Sequence, residues 1–351
     1  MGTLSRADRV AGRLEGVDAL LVTEPANLRY VTGFTGSNGF AVVGRDVRRF
    51  VTDFRYVEQA KLEVPDFDRE QGPQELFAAL KGFGGRLGFD DAHLSVKQHR
   101  RLEKLLEGVE LVPLGGVVEE VRAVKEPGEI LRIAAAAALV DEIYGWLLEY
   151  GLVGRTERAV AIALEHEMRL RGASGPSFPS IVAAGEHGAL PHAQPREVEI
   201  PRDTLVTIDI GAVLDGYCSD CTRTWATGDL SDQLAEIYAL TLRAQVTALD
   251  EVRPGPLGRE IDAVARDIIT AAGHGEHFGH GLGHGVGLVT HEAPRLARSG
   301  ETALVAGHVV TVEPGVYLPG VGGVRIEDLV VVTETGRDVL SHTSKELLTV
   351  A

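Results

Sequence analysis

Four acidic residues interrupt stretches of chain that otherwise read as buried β-strand. Asp209 lies in Leu205-Val-Thr-Ile-Asp209-Ile, and Asp220 lies in Tyr217-Cys-Ser-Asp220-Cys-Thr-Arg-Thr. Glu313 closes the run Val309-Val-Thr-Val, and Glu327 opens onto Asp328-Leu-Val-Val-Val. A carboxylate inside an apolar strand is costly unless it is paired or metal-bound, so few folds accept this pattern. Each pair of acids brackets a turn signal. A hairpin turning symmetrically within Leu214-Asp215-Gly216, centred between Leu214 and Asp215, sets Asp209 opposite Asp220 with Cβ atoms about 4.5–5.5 Å apart. Glu313 and Glu327 are equidistant from Gly320, so a hairpin centred there brings them face to face as well. Facing carboxylates repel and destabilise a hairpin unless a cation lies between them. The alternatives are an offset turn that points one Asp to solvent and, for each Glu, the solvent face of an edge strand. The second alternative weakens when two hairpins share the feature.

A glycine–histidine segment lies between the two hairpins: Gly279-His280-Gly-Leu-Gly-His284-Gly-Val-Gly-Leu-Val-Thr-His291-Glu292. Its alternating glycines superficially match a dinucleotide loop, but no helix-forming run follows and no acid sits on a following strand. No His-Glu-x-x-His occurs in the chain, since His166-Glu167 lacks the second histidine. Glycine at every other position lets the backbone approach something closely, and the interleaved imidazoles suit metal ligation and contact with a substrate oxygen. A surface loop that binds metal adventitiously is the competing reading. Pro191-His192-Ala193 is a lone loop histidine, which taken alone reads as structural. Cys218-x-x-Cys221 has no second cysteine pair to complete a four-thiol zinc site, so both cysteines are expected to pack as small apolar residues.

A length of 351 residues favours two domains. Positions 1 to about 122 alternate strand and helix signals. Ala19–Thr23 reads as a strand, Gly39–Val43 and Arg49–Thr52 as a hairpin, and Arg86–Phe89 as a further strand. Phe54–Leu62 reads as a helix capped by Asp53, and Val96–Leu106 has helical spacing. No chemistry cluster is apparent there, and Thr32 to Gly39 reads as a glycine-rich loop. Lys125-Glu126-Pro127-Gly128 marks the seam, with Pro127 suited to the first turn of a long helix, Glu129–Leu148. Thr156–Leu170 follows as a second helix capped by Thr156, then a Gly/Ser/Pro-rich loop from Gly172 to Pro195. Strands over 205–227, helices near Ser231–Leu249 and Gly258–Ala272, and strands over 309–333 complete a helix-helix-hairpin order that occurs twice. The net charge of −16 argues against a nucleic-acid or anionic-membrane surface. Two cysteines, a polar start and no apolar run of membrane-spanning length predict a cytoplasmic protein.

Together these segments resemble the metallopeptidase family of Xaa-Pro aminopeptidases, Xaa-Pro dipeptidases (prolidases) and methionine aminopeptidases. The matching stretches are Asp209-Ile-Gly-Ala, Tyr217 to Thr224, Gly279 to Glu292, Glu313-Pro-Gly-Val-Tyr317 and Arg325-Ile-Glu327-Asp, in the family's order. Asn27-Leu-Arg-Tyr-Val-Thr-Gly-Phe-Thr-Gly-Ser and Asp53-Phe-Arg-Tyr resemble, more weakly, the N-terminal domain of the proline-specific and creatinase-like members. The resemblance implies a creatinase-like α/β domain over 1–122 and a "pita-bread" α/β (α+β) metallopeptidase domain over 123–351, its two hairpins in one curved sheet. It implies metal ligands at Asp209, Asp220, His284, Glu313 and Glu327, with Asp220 and Glu327 bridging two divalent cations. Four carboxylates balance two such cations, which make hydroxide available near neutral pH and polarise a carbonyl. Mn²⁺ is the first choice, with Co²⁺ and Zn²⁺ behind it. Glu313 would shuttle the proton, and His192 and His291 would hold substrate and oxyanion. Arg325 would orient the carboxylates, and His280 is a further substrate-side residue. The implied substrate is a small peptide with proline second, favoured as the Xaa-Pro dipeptide because the chain between Glu313 and Glu327 is short. The alternatives are an aminopeptidase acting on longer peptides, a creatinase-like hydrolase and a non-catalytic binding module, and the intact ligand set speaks against the last two. Family dimers, in which one subunit's N-terminal domain helps close the partner's site, imply a homodimer and make Thr32 to Asn38 a candidate selectivity loop. Cys221 and Trp225 depart mildly from the family pattern.

Overall fold

The apolar run Ala19–Val22 becomes an inner strand of a six-stranded sheet in the computed structural model, which describes residues 4–351. The sheet order is Asp68–Gln71, Arg48–Thr52, Gly39–Gly44, Ala19–Val22, Arg86–Phe89, Glu110–Pro113. Ala19–Val22 runs antiparallel to Gly39–Gly44 and parallel to Arg86–Phe89, which marks a mixed α/β sheet. The chain divides into two compact units, Met1–Arg122 and Ala123–Ala351. In the first, the helix after Asp53 is Val57–Glu63, later than the sequence suggests. Asp53 does not cap it, because its carboxylate is taken up by Arg55 and by the Asn38 amide 2.6 Å away. The same unit also brings together a cluster the sequence does not reveal. Ligand atoms of Asp90, His93 and Glu119 lie within 4.8 Å of one another, and the Asn27 amide donates to both acids.

The second unit begins with helix Pro127–Tyr150, which has proline in its first turn. Helix Glu157–Leu170 follows, and the Thr156 hydroxyl accepts the Ala159 N–H at its start. Their apolar faces, Tyr144 among them, cover Trp225 and strand Leu205–Ile210. Helices Asp232–Asp250 and Gly258–Ala271 cover the second hairpin in the same way. The segment Gly172 to Pro195, expected as a loop, contains the fully buried strand Ile181–Ala184, paired antiparallel with Leu205–Ile210. Four small or β-branched apolar residues are enough to form an inner strand when both faces are covered.

The two acidic hairpins differ in how they meet expectation. The second has the expected register: Gly315 pairs with Arg325 and Val312 with Asp328, so Glu313 and Glu327 face each other about Gly320. In the first, Leu214 pairs with Tyr217 and Asp209 with Thr222, so the turn centres between Asp215 and Gly216. Both turn residues have positive φ, 50° and 81°. A two-residue hairpin turn of this hand requires that conformation, and Asp-Gly is the pair that accepts it. The displacement is by two residues, so Asp220 keeps the parity that points it to the Asp209 face. Nor do the hairpins share one continuous ladder. Strands Cys221–Ala226, Leu205–Ile210 and Ile181–Ala184 form one sheet, and Val309–Val312 and Asp328–Val332 lie in another. They meet at a seam where Glu327 N–H donates to the Thr222 carbonyl, 3.1 Å.

His308 precedes strand Val309–Val312, is buried, and accepts the Val305 N–H on Nδ1. Burial, reinforced by Lys125, lowers its pKa to about 4. A depressed folded value stabilises the fold above the unfolded pKa near 6.5, and that stability is lost as pH falls towards 4. His308→Asn should therefore remove on the order of 3 kcal/mol from the acid-induced loss across that window. Trp146 and Trp225 both lie in the second unit and are the two tryptophans of the chain, so tryptophan fluorescence reads this unit alone. An unchanged pH–stability profile in the variant would refute the assignment.

Candidate metal centre

Three of the acids sit where regular pairing stops, and Asp209 sits one residue before its strand ends. Asp209 is the penultimate residue of Leu205–Ile210, and Asp220 lies between Tyr217–Cys218 and Cys221–Ala226. Glu313 and Glu327 occupy the breaks on either side of the hairpin Gly315–Leu318 and Gly322–Arg325. His284 is the middle residue of Gly283–Gly285. Ligand atoms of Asp220, His284 and Glu327 lie within 4.8 Å of one another. His284 Nε2 is 3.2 Å from Glu313 Oε1 and 3.6 Å from Asp220 Oδ2. Asp209 acts electrostatically on Asp220, His284 and Glu327. The fold therefore gathers all five residues into one buried cluster.

Surrounding groups orient each donor. Arg325 Nη2 donates to Asp209 Oδ2 at 2.7 Å, and its Nε donates to Thr222 Oγ1 at 3.0 Å. Arg325 Nη1 donates to the Pro191 carbonyl and to the Tyr317 hydroxyl, both at 3.0 Å. Thr222 Oγ1 donates to Glu327 Oε2 at 2.8 Å, and Thr311 Oγ1 donates to Glu313 Oε1 at 3.1 Å. His284 Nδ1 is 3.1 Å from the Gly285 carbonyl, which holds a proton on Nδ1, and Nε2 faces the acids, where it donates to Glu313 in the metal-free chain and would offer its lone pair to a bound cation. Sequence reasoning passed over Thr222, Thr311 and Tyr317 as functional residues. Two of them carried a signal: Asp220, Thr222 and Thr224 alternate, as do Thr311 and Glu313, and residues two apart share a strand face.

The remaining histidines line the same region. His291 packs against His284 with its ring tilted by 41° and ring centroids 4.1 Å apart. His280 Nε2 is 2.8 Å from the Tyr317 hydroxyl. His192 is exposed, yet close enough to bear electrostatically on both His280 and His291. Burial lowers the pKa of His280, and burial together with His284 lowers that of His291.

The carboxylates do not behave alike. Burial, then the neighbouring Glu327 and Asp209, pushes Asp220 well above the carboxylate range. Glu327 is likewise pushed well up by burial, then by Glu313 and Asp209. Asp209 is raised by burial, against the opposing Arg325. Burial also acts on Glu313, but its hydrogen bond to His284 outweighs this and holds it at about 2. Asp209 Oδ1 and Glu327 Oε1 are buried with no hydrogen-bond partner among the described residues. Carboxylate oxygens so placed call for a cation. The donor set, four carboxylates and one imidazole, suits hard divalent ions.

Residues 131–334 match metallopeptidase family M24. The chain belongs to that family. Residues 9–124 of this M24 peptidase match the Creatinase/Prolidase N-terminal domain. It is 36% identical to a Xaa-Pro dipeptidase of Pyrococcus horikoshii over 95% of each chain. A solved Xaa-Pro dipeptidase from Bacillus anthracis superposes with a TM-score of 0.96 at 39% identity, covering 98% of this chain and 99% of that one. An X-Pro aminopeptidase from Thermotoga maritima gives 0.90 at 34% identity, covering 97% and 99%.

Removing one repelling carboxylate tests the centre without any substrate. In the metal-free M24 chain, Glu327→Gln should raise stability by about 1–3 kcal/mol, the scale of like charges at close range. Added Mn²⁺ should raise the melting temperature of the wild type and not that of the variant. A variant no more stable than wild type, and equally stabilised by metal, would count against this centre.

Proposed function

We propose that this chain is a dinuclear metal-dependent Xaa-Pro dipeptidase, a prolidase. The observation that carries the reading is the convergence of Asp209, Asp220, His284, Glu313 and Glu327, with two buried carboxylate oxygens left partnerless. Asp209, Asp220, His284, Glu313 and Glu327 would hold two divalent cations, with Asp220 and Glu327 shared between them. When bound, such ions supply acidified water and polarise the scissile carbonyl. Mn²⁺ fits an oxygen-rich donor set, with Co²⁺ and Zn²⁺ as the other candidates.

The chain's own groups then have distinct tasks. Glu313 takes the proton of the attacking water on a carboxylate oxygen and delivers it to the proline nitrogen as the C–N bond breaks. His291, beside His284, and His192, on its loop, donate to the substrate carbonyl as negative charge develops there. His280 backs the substrate side through Tyr317. Arg325 keeps Asp209 in one orientation and, through Pro191, ties the His192 loop to the same point. Neutral His291 is favoured by its lowered pKa, so it can donate one N–H at neutral pH without adding charge.

Several relatives that match over nearly the whole chain are Xaa-Pro dipeptidases, which favours the dipeptide as substrate. The Thermotoga maritima X-Pro aminopeptidase keeps the longer-peptide reading in second place. A cytoplasmic homodimer completes the proposal. Cys218 and Cys221 are buried and not joined in a disulfide, as in a reducing compartment, and no described helix is long and apolar enough to cross a membrane.

Chelator-stripped protein restored with Mn²⁺ should release proline from a Xaa-Pro dipeptide faster than it cleaves a Xaa-Pro-Yaa tripeptide. The reverse preference would make it an aminopeptidase. Cleavage of neither with any of the three metals would sink the peptidase reading. Glu313→Gln should lower kcat by about 10²–10⁴-fold, the range for loss of a positioned acid–base group.

A further inference from the structure

His192 differs from the other site histidines in coming from an exposed loop rather than from a strand or the glycine-rich segment beside one. That loop leaves strand Ile181–Ala184, passes through the short helical turn Gly185–Ala189 and ends at Arg196. One carboxylate outside the metal cluster holds it at both ends and near its middle. Glu157, the first residue of helix Glu157–Leu170, is fully buried. Its Oε1 accepts the Ala184 N–H at 3.0 Å. Its Oε2 accepts the Arg196 N–H and Nε–H, both at 3.0 Å, and Arg196 Nη2 reaches Oε1 at 3.0 Å. His187 Nδ1 lies 2.9 Å from Oε2 and 3.0 Å from Oε1.

The loop is also held from the metal side. Arg325 Nη1 donates to the Pro191 carbonyl, the residue before His192. A Cβ at Gly323 would run into the Gly188 carbonyl, so the hairpin and the loop approach backbone to backbone. Burial pushes the Glu157 pKa up, but the Arg196 and backbone hydrogen bonds outweigh it and leave it below the ordinary value. Glu157 is therefore an anion, and it sits at a helix N-terminus, where a negative charge is favoured.

We infer that Glu157 is a positioning residue for catalysis: it fixes the span from Ala184 to Arg196 so that His192 is presented to the substrate. The inference rests on the Xaa-Pro peptidase reading for the role of His192, but the clamp itself can be tested without it. Glu157→Gln keeps size and shape while losing the charge and one acceptor oxygen. In metal-free protein, amide exchange over residues 184–196 should accelerate at least tenfold in this variant and stay at wild-type rates elsewhere in the second unit. In Mn²⁺-loaded protein, kcat/KM for a Xaa-Pro dipeptide should fall about tenfold, the scale seen when a supporting hydrogen bond is lost, while the Mn²⁺-induced rise in melting temperature stays at the wild-type value. In a His192→Ala background, the same substitution should add little further loss.

Unchanged exchange over 184–196, or an equal fractional loss of kcat/KM with and without His192, would overturn the inference. Should Glu157→Gln fail to fold, Arg196→Ala takes its place in the same measurements with the same criteria, since the Arg196 side chain is partly exposed. Should wild-type protein cleave no Xaa-Pro peptide, the peptidase reading fails and, with it, the catalytic role given to Glu157, while the exchange rates still decide whether Glu157 clamps the loop.

Discussion

The mutual repulsion of four clustered carboxylates, three buried and one partly so, is the constraint around which the second unit is organised. Two like charges about 5 Å apart at an effective dielectric constant near 20 cost about 3 kcal/mol, and here the pairs multiply. The contrast between neighbours is informative. Asp328 is as buried as Glu327, yet it is fully answered: Arg223 and Gln245 each donate to it at 2.9 Å, and Lys345 contacts it as well. The chain thus pairs a buried acid completely one residue away, while Glu327 keeps an oxygen without a donor. Buried polar groups are almost always satisfied in folded proteins, so this local exception points to chemistry at the Glu327 face and to structure at the Asp328 face. Alternation along one strand separates the two.

Regular pairing stops at three of these carboxylates. Asp220, Glu313 and Glu327 lie in breaks between strands, whereas Asp209 is paired with both Thr222 and Ile181 one residue before its strand ends. A carboxylate in mid-ladder projects perpendicular to the sheet; at a break, the backbone can turn the side chain inward. The seam between the sheets is then held by side chains and single backbone contacts. Arg325 spans it from Asp209 to Thr222, Thr224 Oγ1 donates to the Arg325 carbonyl, and Glu327 N–H meets Thr222. An arginine fits this place because its planar fork can serve several acceptors in fixed directions, which a lysine ammonium cannot.

Much of this was legible in the sequence, and the misses have physical causes. Acids inside apolar runs, the Gly320 symmetry of Glu313 and Glu327, and the helix cap at Thr156 are local signals that fold as they read. The first hairpin slipped by two residues because the turn conformation, not sequence symmetry, sets the centre, and only Asp215-Gly216 supplies the required pair of positive φ values. Asp53 failed as a cap because Asn38 and Arg55 outbid the helix for its oxygens, and the Asn38 contact exists only in three dimensions. Strand Ile181–Ala184 was hidden in a Gly/Ser/Pro-rich stretch, since four apolar residues become a strand only when neighbours cover both faces. Tyr317 and Glu157 gave no signal, because their roles lie in long-range hydrogen bonds.

The loop carrying His192 follows from the same logic. Residues on strands inherit their positions from the ladder, whereas a loop residue must be ordered by its own contacts at a cost of about 1–2 kcal/mol of backbone entropy per residue. Two anchors on opposite sides meet that cost. Glu157 ties the loop to the helix layer through Ala184, His187 and Arg196, and Arg325 ties it to the acid cluster through Pro191. Because Arg325 also holds Asp209, the geometry of the carboxylates and the placement of His192 are set by one guanidinium. Any shift in Asp209 reaches the loop through that group, while Glu157 holds the far side still. A substrate-contacting residue on a loop thereby acquires a fixed place relative to the carboxylates, as positioning on the ångström scale requires.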